Sequence, residues 1–345
     1  MESDWIRGFA LRLGAPPPRV LRGIGDDAAC LQVPEGQNLL WTTDSQREGV
    51  HFRWDWMSPE DVGYRLFIAN LSDILAKGGV PYAALSAIGV PAGFPEADLM
   101  SFYEGLAQVS HRFDCPVVGG DIARSPDGFN AVLSLLGTAS PGRFPGREGL
   151  SPGDSLFLVG TPGLARAGYL ACRDCLFSNS LLSPAIEAFR RPRTYPWMAD
   201  FVREEKALSA AMDTSDGLGQ AVFEMAFQSG VSVLLDPPPG WLAHLEPFAG
   251  LLGQDPFRLA WQGGEDYDLL LGLRGDGEAG LGGLPVNLVS RIERCLEGTP
   301  ARIVRIGSVI AGKTGDQQEK GAVLIKKPDG SVEPLERVGF DHTRN

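Results

Sequence analysis

The residues best suited to chemistry are aspartates that recur in one local setting. They are Asp26, Asp27, Asp44, Asp121, Asp213 and Asp216. Each is predicted to lie where a short apolar strand gives way to a loop rich in glycine or hydroxyl groups. A single aspartate at such a place usually forms a turn or caps a helix, whereas the repeated pattern favours a shared ligand.

Asp73 differs because it is predicted to lie inside a helix, with Asn70 one turn earlier on the same face. Its neighbours Leu71, Ile74 and Leu75 are apolar. A carboxylate in such surroundings is costly unless it is paired or coordinated. Asp73 is therefore predicted to have a partner or to bind a ligand.

The available side chains favour magnesium over softer metals. Clustered carboxylates without accompanying His or Cys suit Mg²⁺, which keeps waters and binds few carboxylates together with substrate phosphates. The chain has only 4 His, and 43 Asp and Glu against 31 Lys and Arg give a formal net charge of −12. Several Mg²⁺ ions bridging to a polyphosphate would let so acidic a protein bind phosphate.

The length and composition of the chain limit the classes of protein to which it can belong. With 345 residues, 43% of them apolar, the chain is long enough for about two domains. Its acidity argues against a general nucleic-acid or anionic-membrane binder. No apolar run approaches the ~20 residues of a membrane span, and the charged start does not resemble a signal peptide. Five cysteines suit a reduced cytoplasm, and Cys172 and Cys175 are predicted to occupy ordinary helix positions.

The residue pattern predicts an α+β chain rather than a doubly wound sheet. A segment rich in Gly and Pro, 139–154, is the predicted boundary between two domains. Strands are predicted at 38–43, 82–90, 116–118, 130–138, 155–160, 231–235 and 269–273, with 302–310 and 322–326 as a hairpin. Helices are predicted at 58–77, 96–113, 164–175, 197–209 and 217–228.

Two phosphate-binding motifs match only formally. GSVIAGKT at 307–314 has Walker A spacing, but no helix is expected after it, and it is predicted to be a hairpin tip. GIGDDA at 23–28 has the glycine spacing of a dinucleotide-binding turn, yet Asp26 and Asp27 would repel a pyrophosphate there. Neither motif is expected to bind a nucleotide.

Seven segments, in the same order along the chain, resemble the thiamine-monophosphate kinase family within the aminoimidazole ribonucleotide synthetase superfamily. They are GIGDDAA (23–29), TTD with EGVHF (42–52), NLSDILAKGGVP (70–81), GGD (119–121), DTSDGL (213–218), GGEDYDLL (263–270) and GFDH (339–342). The segments span nearly the whole chain. Together they are specific to this family, although none would be alone.

The resemblance implies a two-domain fold of the aminoimidazole ribonucleotide synthetase type. An N-terminal αβ domain, 1–140, would pair with a second copy into a dimer barrel and would bind metal and ATP. A C-terminal α/β domain, 141–345, would complete the cleft for ATP and substrate. The implied reaction passes the γ-phosphoryl group of ATP directly to thiamine monophosphate and yields thiamine diphosphate and ADP.

The resemblance also implies roles for individual residues. The catalytic residues would be Asp73, Asp121, Asp216 and Arg147. ATP would be held by Gly120, Asp121, Arg147 and Ser215, and the thiamine side by His51 and Glu265. The Mg²⁺ ligands would be Asp27, Thr42, Thr43, Asp44, Asp73, Asp121, Asp213 and Asp216. Because the acceptor is already an ionised phosphate oxygen, these cations would mainly offset the repulsion between two anions.

The chain departs from the family pattern at 45–47, Lys77, Ile122 and Arg337, the last near a position where the family often has an aromatic residue that contacts thiamine. These departures leave the metal and ATP motifs intact and bear on thiamine recognition. Two other interpretations stay open. One is another ATP-dependent synthetase or maturation enzyme of the same superfamily, and the other is a non-catalytic nucleotide-binding homologue.

Overall fold

The structure is a computed structural model, and it describes residues 2–142, 144–274, 292, 294, 296–299, 301–311 and 321–338. Its contacts divide the chain into two compact units, Met1–Phe144 and Pro145–Asn345, called here the N-terminal and the C-terminal unit. Each unit combines helices with its own sheet. The predicted α+β class is confirmed.

The N-terminal unit is built on a four-stranded sheet. Its elements are α1 (Glu2–Leu13), β1 (Val20–Arg22), β2 (Cys30–Leu31), β3 (Asn38–Arg47), α2 (Pro59–Ala76), β4 (Val80–Val90), α3 (Glu96–Arg112), β5 (Val117–Arg124) and β6 (Asn130–Ala139). The sheet has the order β3-β6-β4-β5, and only the β4–β5 pair is parallel. β1 and β2 form a separate antiparallel ribbon.

Helix α2 begins where the sequence predicts it. The Ser58 hydroxyl accepts a hydrogen bond from the Asp61 amide, and the Asp61 carboxylate accepts one from the Ser58 amide. This reciprocal pair is a capping box, and Pro59 adds the fixed φ that suits a first helical position. The helix ends at Ala76, just before Gly78, whose φ of 69° continues no helix.

Helices α2 and α3 pack with their backbones in close contact. A β-carbon added at Gly63 would lie 2.0 Å from the Phe102 carbonyl oxygen, and one added at Gly105 would lie 1.9 Å from the Glu60 carbonyl oxygen. Only glycine fits at both places. Helix α2 is therefore seated against α3 on one side while its other side contacts β3 and β6.

The C-terminal unit is built on a seven-stranded sheet. Its elements are β7 (Ser155–Gly160), α4 (Leu164–Arg173), α5 (Ser183–Arg190), α6 (Trp197–Glu204), β8 (Leu208–Asp213), α7 (Leu218–Ser229), β9 (Ser232–Leu235), α8 (Glu246–Leu252), α9 (Pro256–Gln262), β10 (Leu269–Leu273), β11 (Arg302–Ile310), β12 (Val323–Lys326) and β13 (Val332–Pro334). The order is β13-β12-β9-β11-β7-β10-β8, with β9–β12 parallel. Apolar residues of α7 and of the central strands form one core cluster.

Two strands extend past the residues that were predicted to end them. β3 runs to Arg47 and β5 runs to Arg124, so Asp44 and Asp121 lie within strands rather than in loops. The reason is backbone pairing: β6 pairs with every residue of β3, and β4 pairs with β5 through Arg124. Such pairing overrides the weak strand preference of aspartate and glycine.

The predicted hairpin of 302–310 and 322–326 is wrong. β11 and β12 each pair with β9, which lies between them, because local periodicity does not specify strand neighbours. Residues 307–310 are strand, as expected, whereas 312–314 and the GFDH segment lie outside the described residues. The helix predicted at 197–209 ends at Glu204, and Leu208 already belongs to β8.

Within the described ranges, no helix has both the length and the apolar character needed to cross a membrane.

Candidate active site

Four residues form a hydrogen-bonded group where β3 meets α2, named here the β3–α2 cluster: Thr42, Asp44, Asn70 and Asp73. The Thr42 hydroxyl donates to Asp73 Oδ2 at 2.6 Å. One helical turn earlier, Asn70 Oδ1 accepts from the Asp44 amide at 3.0 Å. The expectation that Asp73 would need a partner is confirmed, since Thr42 supplies one.

Asn70 is fully buried and uses both ends of its amide group. While Oδ1 accepts from Asp44, its Nδ2 donates to the Leu66 carbonyl oxygen at 3.0 Å inside the same helix. A buried amide must satisfy donor and acceptor alike. Asn70 does so by joining strand to helix.

Thr43 lies on the opposite face of β3, because successive strand residues alternate between faces. Its hydroxyl donates to the Leu133 carbonyl oxygen of β6 at 3.1 Å. Thr43 is exposed, whereas its neighbours Thr42 and Asp44 are half-buried. The three consecutive predicted ligands therefore do not all face α2.

Gly120 and Asp121 lie on β5, at the far side of the sheet from β3. A β-carbon at Gly120 would lie 1.8 Å from the Ser86 carbonyl oxygen, so β4 leaves no room for a larger residue. Strands β6 and β4 separate β5 from β3. At about 4.8 Å per strand, the backbones of Asp121 and Asp44 are about 14 Å apart.

Asp27 lies in the turn between β1 and β2, and it is exposed. Its amide donates to Asp26 Oδ1 at 2.8 Å, and Asp26 also lies 3.8 Å from Arg22 Nη1. The same turn approaches β5, since a β-carbon at Gly23 would be 3.5 Å from the Val118 carbonyl oxygen. Asp27 therefore belongs to the β5 side of the sheet.

His51 follows β3 in a turn that fixes its ring. Its Nδ1 accepts a hydrogen bond from the Arg47 amide at 3.1 Å, and its own amide donates to the Arg47 carbonyl oxygen at 2.9 Å. An imidazole that accepts at Nδ1 carries its proton on Nε2 when neutral. The ring therefore presents Nε2–H as a donor.

Across 2–142, 144–274 and the shorter ranges that follow, no three His, Cys, Asp or Glu side chains come together as a metal-binding group. Within the N-terminal unit the predicted ligands divide into three groups: Thr42, Asp44 and Asp73 in the β3–α2 cluster, Asp27 and Asp121 on the β5 side, and Thr43 on the opposite face of β3. Their roles as Mg²⁺ ligands stay predictions.

In the C-terminal unit, the DTSDG loop connects β8 to α7. Asp213 is the last residue of β8 and is buried, and its Oδ1 accepts from the Ser215 hydroxyl at 3.2 Å. Asp216 is exposed. Gly217, with φ of 106°, allows the turn into α7, and a β-carbon there would meet the Gly263 carbonyl oxygen at 2.6 Å.

The DTSDG loop is joined to the GGEDYD loop by three hydrogen bonds. The Glu265 amide donates to the Ser215 carbonyl oxygen at 2.7 Å. Thr214 and Asp268 make a reciprocal pair: the Thr214 amide donates to the Asp268 carbonyl oxygen at 3.0 Å, and the Asp268 amide donates to Thr214 Oγ1 at 3.1 Å. A predicted ATP-side residue, Ser215, and a predicted thiamine-side residue, Glu265, are thus directly connected.

The backbone of the GGEDYD loop is strained. Glu265 and Tyr267 have φ of 70° and 54°, a region that side chains other than glycine rarely adopt. The Tyr267 hydroxyl donates to Glu265 Oε2 at 2.7 Å, and Asp266 accepts from the amides of Gly163 and Ala165 at 2.7 and 2.8 Å. Asp266 therefore caps α4 and fixes the loop between its two strained residues.

Asp268 is buried and Asp266 is half-buried, and both acids have perturbed titration. Burial raises the pKa of Asp266 to about 7, although the helix amides favour its ionised form. Burial, with the negative charge of Asp266, raises the pKa of Asp268 well above its ordinary value. Sequence inspection did not single out either residue. The acidic run EDYD was the available signal, but it could not show which acids face inward.

Arg147 lies beside β8, the strand that ends in Asp213. The preceding residue, Gly146, accepts a hydrogen bond at its carbonyl oxygen from the Ala211 amide at 3.0 Å. Arg147 itself is half-buried. The chain therefore holds this arginine alongside the strand that leads into the DTSDG loop.

Arg337 is held by α7. Its Nη2 donates to Glu224 Oε2 at 2.7 Å, and its Nε donates to Gln220 Oε1 at 3.1 Å. The guanidinium thus binds two residues one turn apart on the helix that follows DTSDG. This side chain ties the end of the described chain to α7.

Comparison with known proteins agrees with these features. The AIR synthase related protein family matches twice, its N-terminal domain at residues 25–139 and its C-terminal domain at residues 151–316. A hydrogenase maturation protein HypE bound to ATP has a TM-score of 0.70 but only 20% identity, over 98% of this chain and 93% of that chain, and so shares the fold alone. The fold and the two joined loops define a two-domain protein of the AIR synthase related class.

Closer relatives narrow the class. The chain is 34% identical to a thiamine-monophosphate kinase from Synechococcus elongatus, over 73% of this chain and 77% of the relative, and 31% identical to that of Escherichia coli K12, over 80% and 85%. A structure described as AaThiL complexed with AMPPCP and TMP is 29% identical, with a TM-score of 0.70 over 92% of this chain and 91% of that chain. The chain belongs to the thiamine-monophosphate kinase family, and the prediction that it is an enzyme of this kind is confirmed.

Proposed function

We propose that this protein transfers the γ-phosphoryl group of ATP to thiamine monophosphate and so produces thiamine diphosphate and ADP. The observation that carries the proposal is the 2.7 Å hydrogen bond from the Glu265 amide to the Ser215 carbonyl oxygen. It connects the loop proposed to hold ATP with the loop proposed to meet thiamine. The similar structure described with AMPPCP, an ATP analogue, and TMP supports the same pair of substrates.

The donors present fit magnesium. The β3–α2 cluster offers carboxylate, hydroxyl and amide oxygens without imidazole or thiolate, which is the donor type that Mg²⁺ prefers. Mg²⁺ also keeps several waters, so one or two carboxylates per ion suffice. The ions would be held by Asp27, Thr42, Thr43, Asp44, Asp73, Asp121, Asp213 and Asp216. Bound there, they would neutralise phosphate charge and align donor with acceptor.

The chain's own residues would bind and orient the two anions. Gly120, where β5 runs too close to the Ser86 carbonyl oxygen of β4 for any larger residue, would contact ATP through its backbone, and Ser215 would offer its hydroxyl to ATP. The Arg147 guanidinium would donate to the transferred phosphoryl group, where its charge offsets the developing negative charge. His51, with Nε2–H as donor, and Glu265 would contact thiamine monophosphate.

The reaction balances without a base. An ionised oxygen of the acceptor phosphate forms the new P–O bond, and the bond from the γ-phosphorus to the bridging oxygen breaks as ADP leaves. No proton has to move before attack. The residues named catalytic, Asp73, Asp121, Asp216 and Arg147, would therefore act by charge and position rather than by proton transfer.

We also propose that two copies pair through the sheet of the N-terminal unit. The face opposite α2 exposes Leu39, Trp41, Leu85 and Val132, with 51%, 72%, 40% and 38% of their surface accessible. So much exposed apolar surface on one sheet face is typical of an interface. A second copy of the same face is the proposed occupant.

The cytoplasm remains the proposed compartment. The four cysteines among the described residues, Cys30, Cys115, Cys172 and Cys175, are all free thiols. Free thiols are usual where glutathione and thioredoxin keep cysteines reduced.

A product analysis tests the proposed reaction. The protein is incubated with ATP, Mg²⁺ and, in separate reactions, thiamine, thiamine monophosphate and related phosphorylated heterocycles, and all products are separated by chromatography. We expect equal amounts of thiamine diphosphate and ADP from thiamine monophosphate alone. ADP and inorganic phosphate without thiamine diphosphate would favour another ATP-dependent enzyme of the superfamily. Nucleotide binding without turnover would favour the non-catalytic homologue.

A further inference from the structure

We propose that Asn70 is a positioning residue that sets the register between β3 and α2, and thereby the spacing of the Asp44 and Asp73 carboxylates. This inference deepens the proposed function and rests on it, since it concerns residues proposed to hold Mg²⁺. Nothing in the sequence motif distinguishes this role from that of an ordinary polar residue on a helix.

The geometry begins with the strand. β3 is an outer strand, and its partner β6 pairs with only one of its edges. The Asp44 amide donates to Asn70 Oδ1 at 3.0 Å. Asn70 therefore links this residue of β3 to α2, in addition to the pairing of the strand with β6. Because the Asn70 side chain is fully buried, loss of this bond would leave a polar group without compensation by water.

The helix provides the second fixed point. Asn70 Nδ2 donates to the Leu66 carbonyl oxygen at 3.0 Å, which holds the amide plane and keeps Oδ1 directed at the strand. Asp73 lies one turn further along α2 and accepts from Thr42, two residues before Asp44 on β3. Two contacts, one turn apart on the helix and two residues apart on the strand, define a single register.

The far side of the helix explains why this register has to be set here. Gly63 and Gly105 leave no space for α2 to move toward α3. Movement along the strand or rotation about the helix axis remains, and the Asn70 and Thr42 hydrogen bonds oppose both. A shift of about 1 Å between ligands is enough to impair a metal site, because Mg²⁺ requires nearly ideal octahedral geometry.

The experiment measures metal binding apart from turnover. Mn²⁺, a paramagnetic substitute for Mg²⁺, is titrated in the presence of AMPPCP, and free Mn²⁺ is followed by electron paramagnetic resonance. The variants are Asn70→Ala and Asn70→Ser, with Thr42→Val as a test of the second contact. Ser72→Ala is the matched control, because Ser72 is likewise buried in α2 and its hydroxyl donates to the Ala69 carbonyl oxygen within the helix.

We expect half-saturation by Mn²⁺ to require at least 10-fold more metal in the Asn70 variants and less than 2-fold more in Ser72→Ala. In the double variant Asn70→Ala with Thr42→Val, we expect the two effects to be non-additive, since both bonds set one register. The KM for thiamine monophosphate at saturating Mg²⁺ should change less than 2-fold.

Three outcomes would overturn the proposal, and they are distinguishable. Unchanged half-saturation in folded Asn70→Ala or Asn70→Ser would make Asn70 a structural residue while the proposed function stands. An equal shift in Ser72→Ala would assign the effect to general loosening of α2. Absence of Mn²⁺ binding in the unaltered protein would remove the metal site itself, and the proposed function with it. If Asn70→Ala does not fold, the half-saturation of the more conservative variant Asn70→Ser by Mn²⁺ decides between these outcomes.

Discussion

At the scale of single residues, the contact between Thr42 and Asp73 fixes a carboxylate that sits among apolar neighbours on α2. The bond is 2.6 Å long and joins a half-buried acid to the strand that carries two more of the proposed ligands. Replacing the carboxylate by an amide would retain size and leave Thr42 a possible partner. It would remove only the negative charge that a cation requires.

Asp73→Asn should therefore lower kcat by about 100-fold or more, the usual effect of losing one group that stabilises transition-state charge. The melting temperature should change by only a few degrees. Turnover by product chromatography and thermal unfolding together check this expectation. Asp55→Asn, an exposed acid paired with Arg53, serves as the control and should retain full activity. Activity near normal in Asp73→Asn would make Asp73 structural.

Asp266 gives a prediction about pH. The folded protein keeps this proton up to about pH 7, whereas an unfolded chain releases it near pH 3.9. The folded state thus binds more protons between these values, so this group makes the free energy of unfolding fall as pH rises from about 4 to 7. When unfolding by denaturant is measured across this pH range, the free energy of unfolding should fall less steeply with rising pH in Asp266→Asn than in the unaltered protein. An unchanged slope would contradict the assignment, and Asp55→Asn should leave the slope intact.

At the scale of secondary structure, Arg337 ties the end of the described chain to α7 through Glu224 and Gln220. We predict that Arg337→Ala raises the KM for thiamine monophosphate several-fold and leaves the KM for ATP within 2-fold. Glu224→Gln, which removes one of the two contacts, should have a smaller effect in the same direction. Arg337→Trp distinguishes the contact with α7 from aromatic stacking on thiamine. If Arg337→Trp improves the affinity for thiamine monophosphate, an aromatic contact matters more than the hydrogen bonds to α7.

The sequence predicted the start of one helix better than the extent and neighbours of the strands, and it missed the helices α1, α5, α8 and α9. The Ser58-Pro59 start of α2 was readable because capping depends on neighbouring residues. The extension of β3 through Asp44 depends on pairing with β6, more than 80 residues later, and was therefore missed. The prediction that β11 and β12 form a hairpin was wrong for the same reason, because both strands pair with β9, which is distant in the sequence and lies between them.

The roles of the candidate site residues stay predictions, but part of their arrangement can be compared with the sequence. Motif spacing singled out Asp73 and Asp213 and the family resemblance added Ser215, and each of the three has a described hydrogen bond within its loop or cluster. Motif spacing could not reveal that Asp44 and Asp121 occupy the two opposite outer strands of the sheet, since the order of strands in a sheet is not a local property of the sequence. Asp266 was overlooked because its role depends on α4, about 100 residues earlier.

At the scale of the whole molecule, the exposed apolar face of the N-terminal sheet predicts a dimer. Trp41→Arg places a charge at the most exposed of the four apolar residues of that face and should convert the protein to a monomer in light scattering coupled to gel filtration. Leu11→Arg is the control, because Leu11 is 81% exposed on α1, a helix that packs against α3. A dimer that survives Trp41→Arg, or an unaltered protein that is already monomeric, would refute the proposed interface.

The two glycines between α2 and α3 have a consequence well beyond packing. A methyl group at Gly105 would push α2 away from α3 and toward the strands β3 and β6 that it contacts on its other side. A substitution on α3, a helix that carries none of the proposed ligands, could thus change the spacing of the proposed Mg²⁺ ligands without altering any of them. If the site holds Mg²⁺ as proposed, such a substitution would alter the metal concentration that the protein needs.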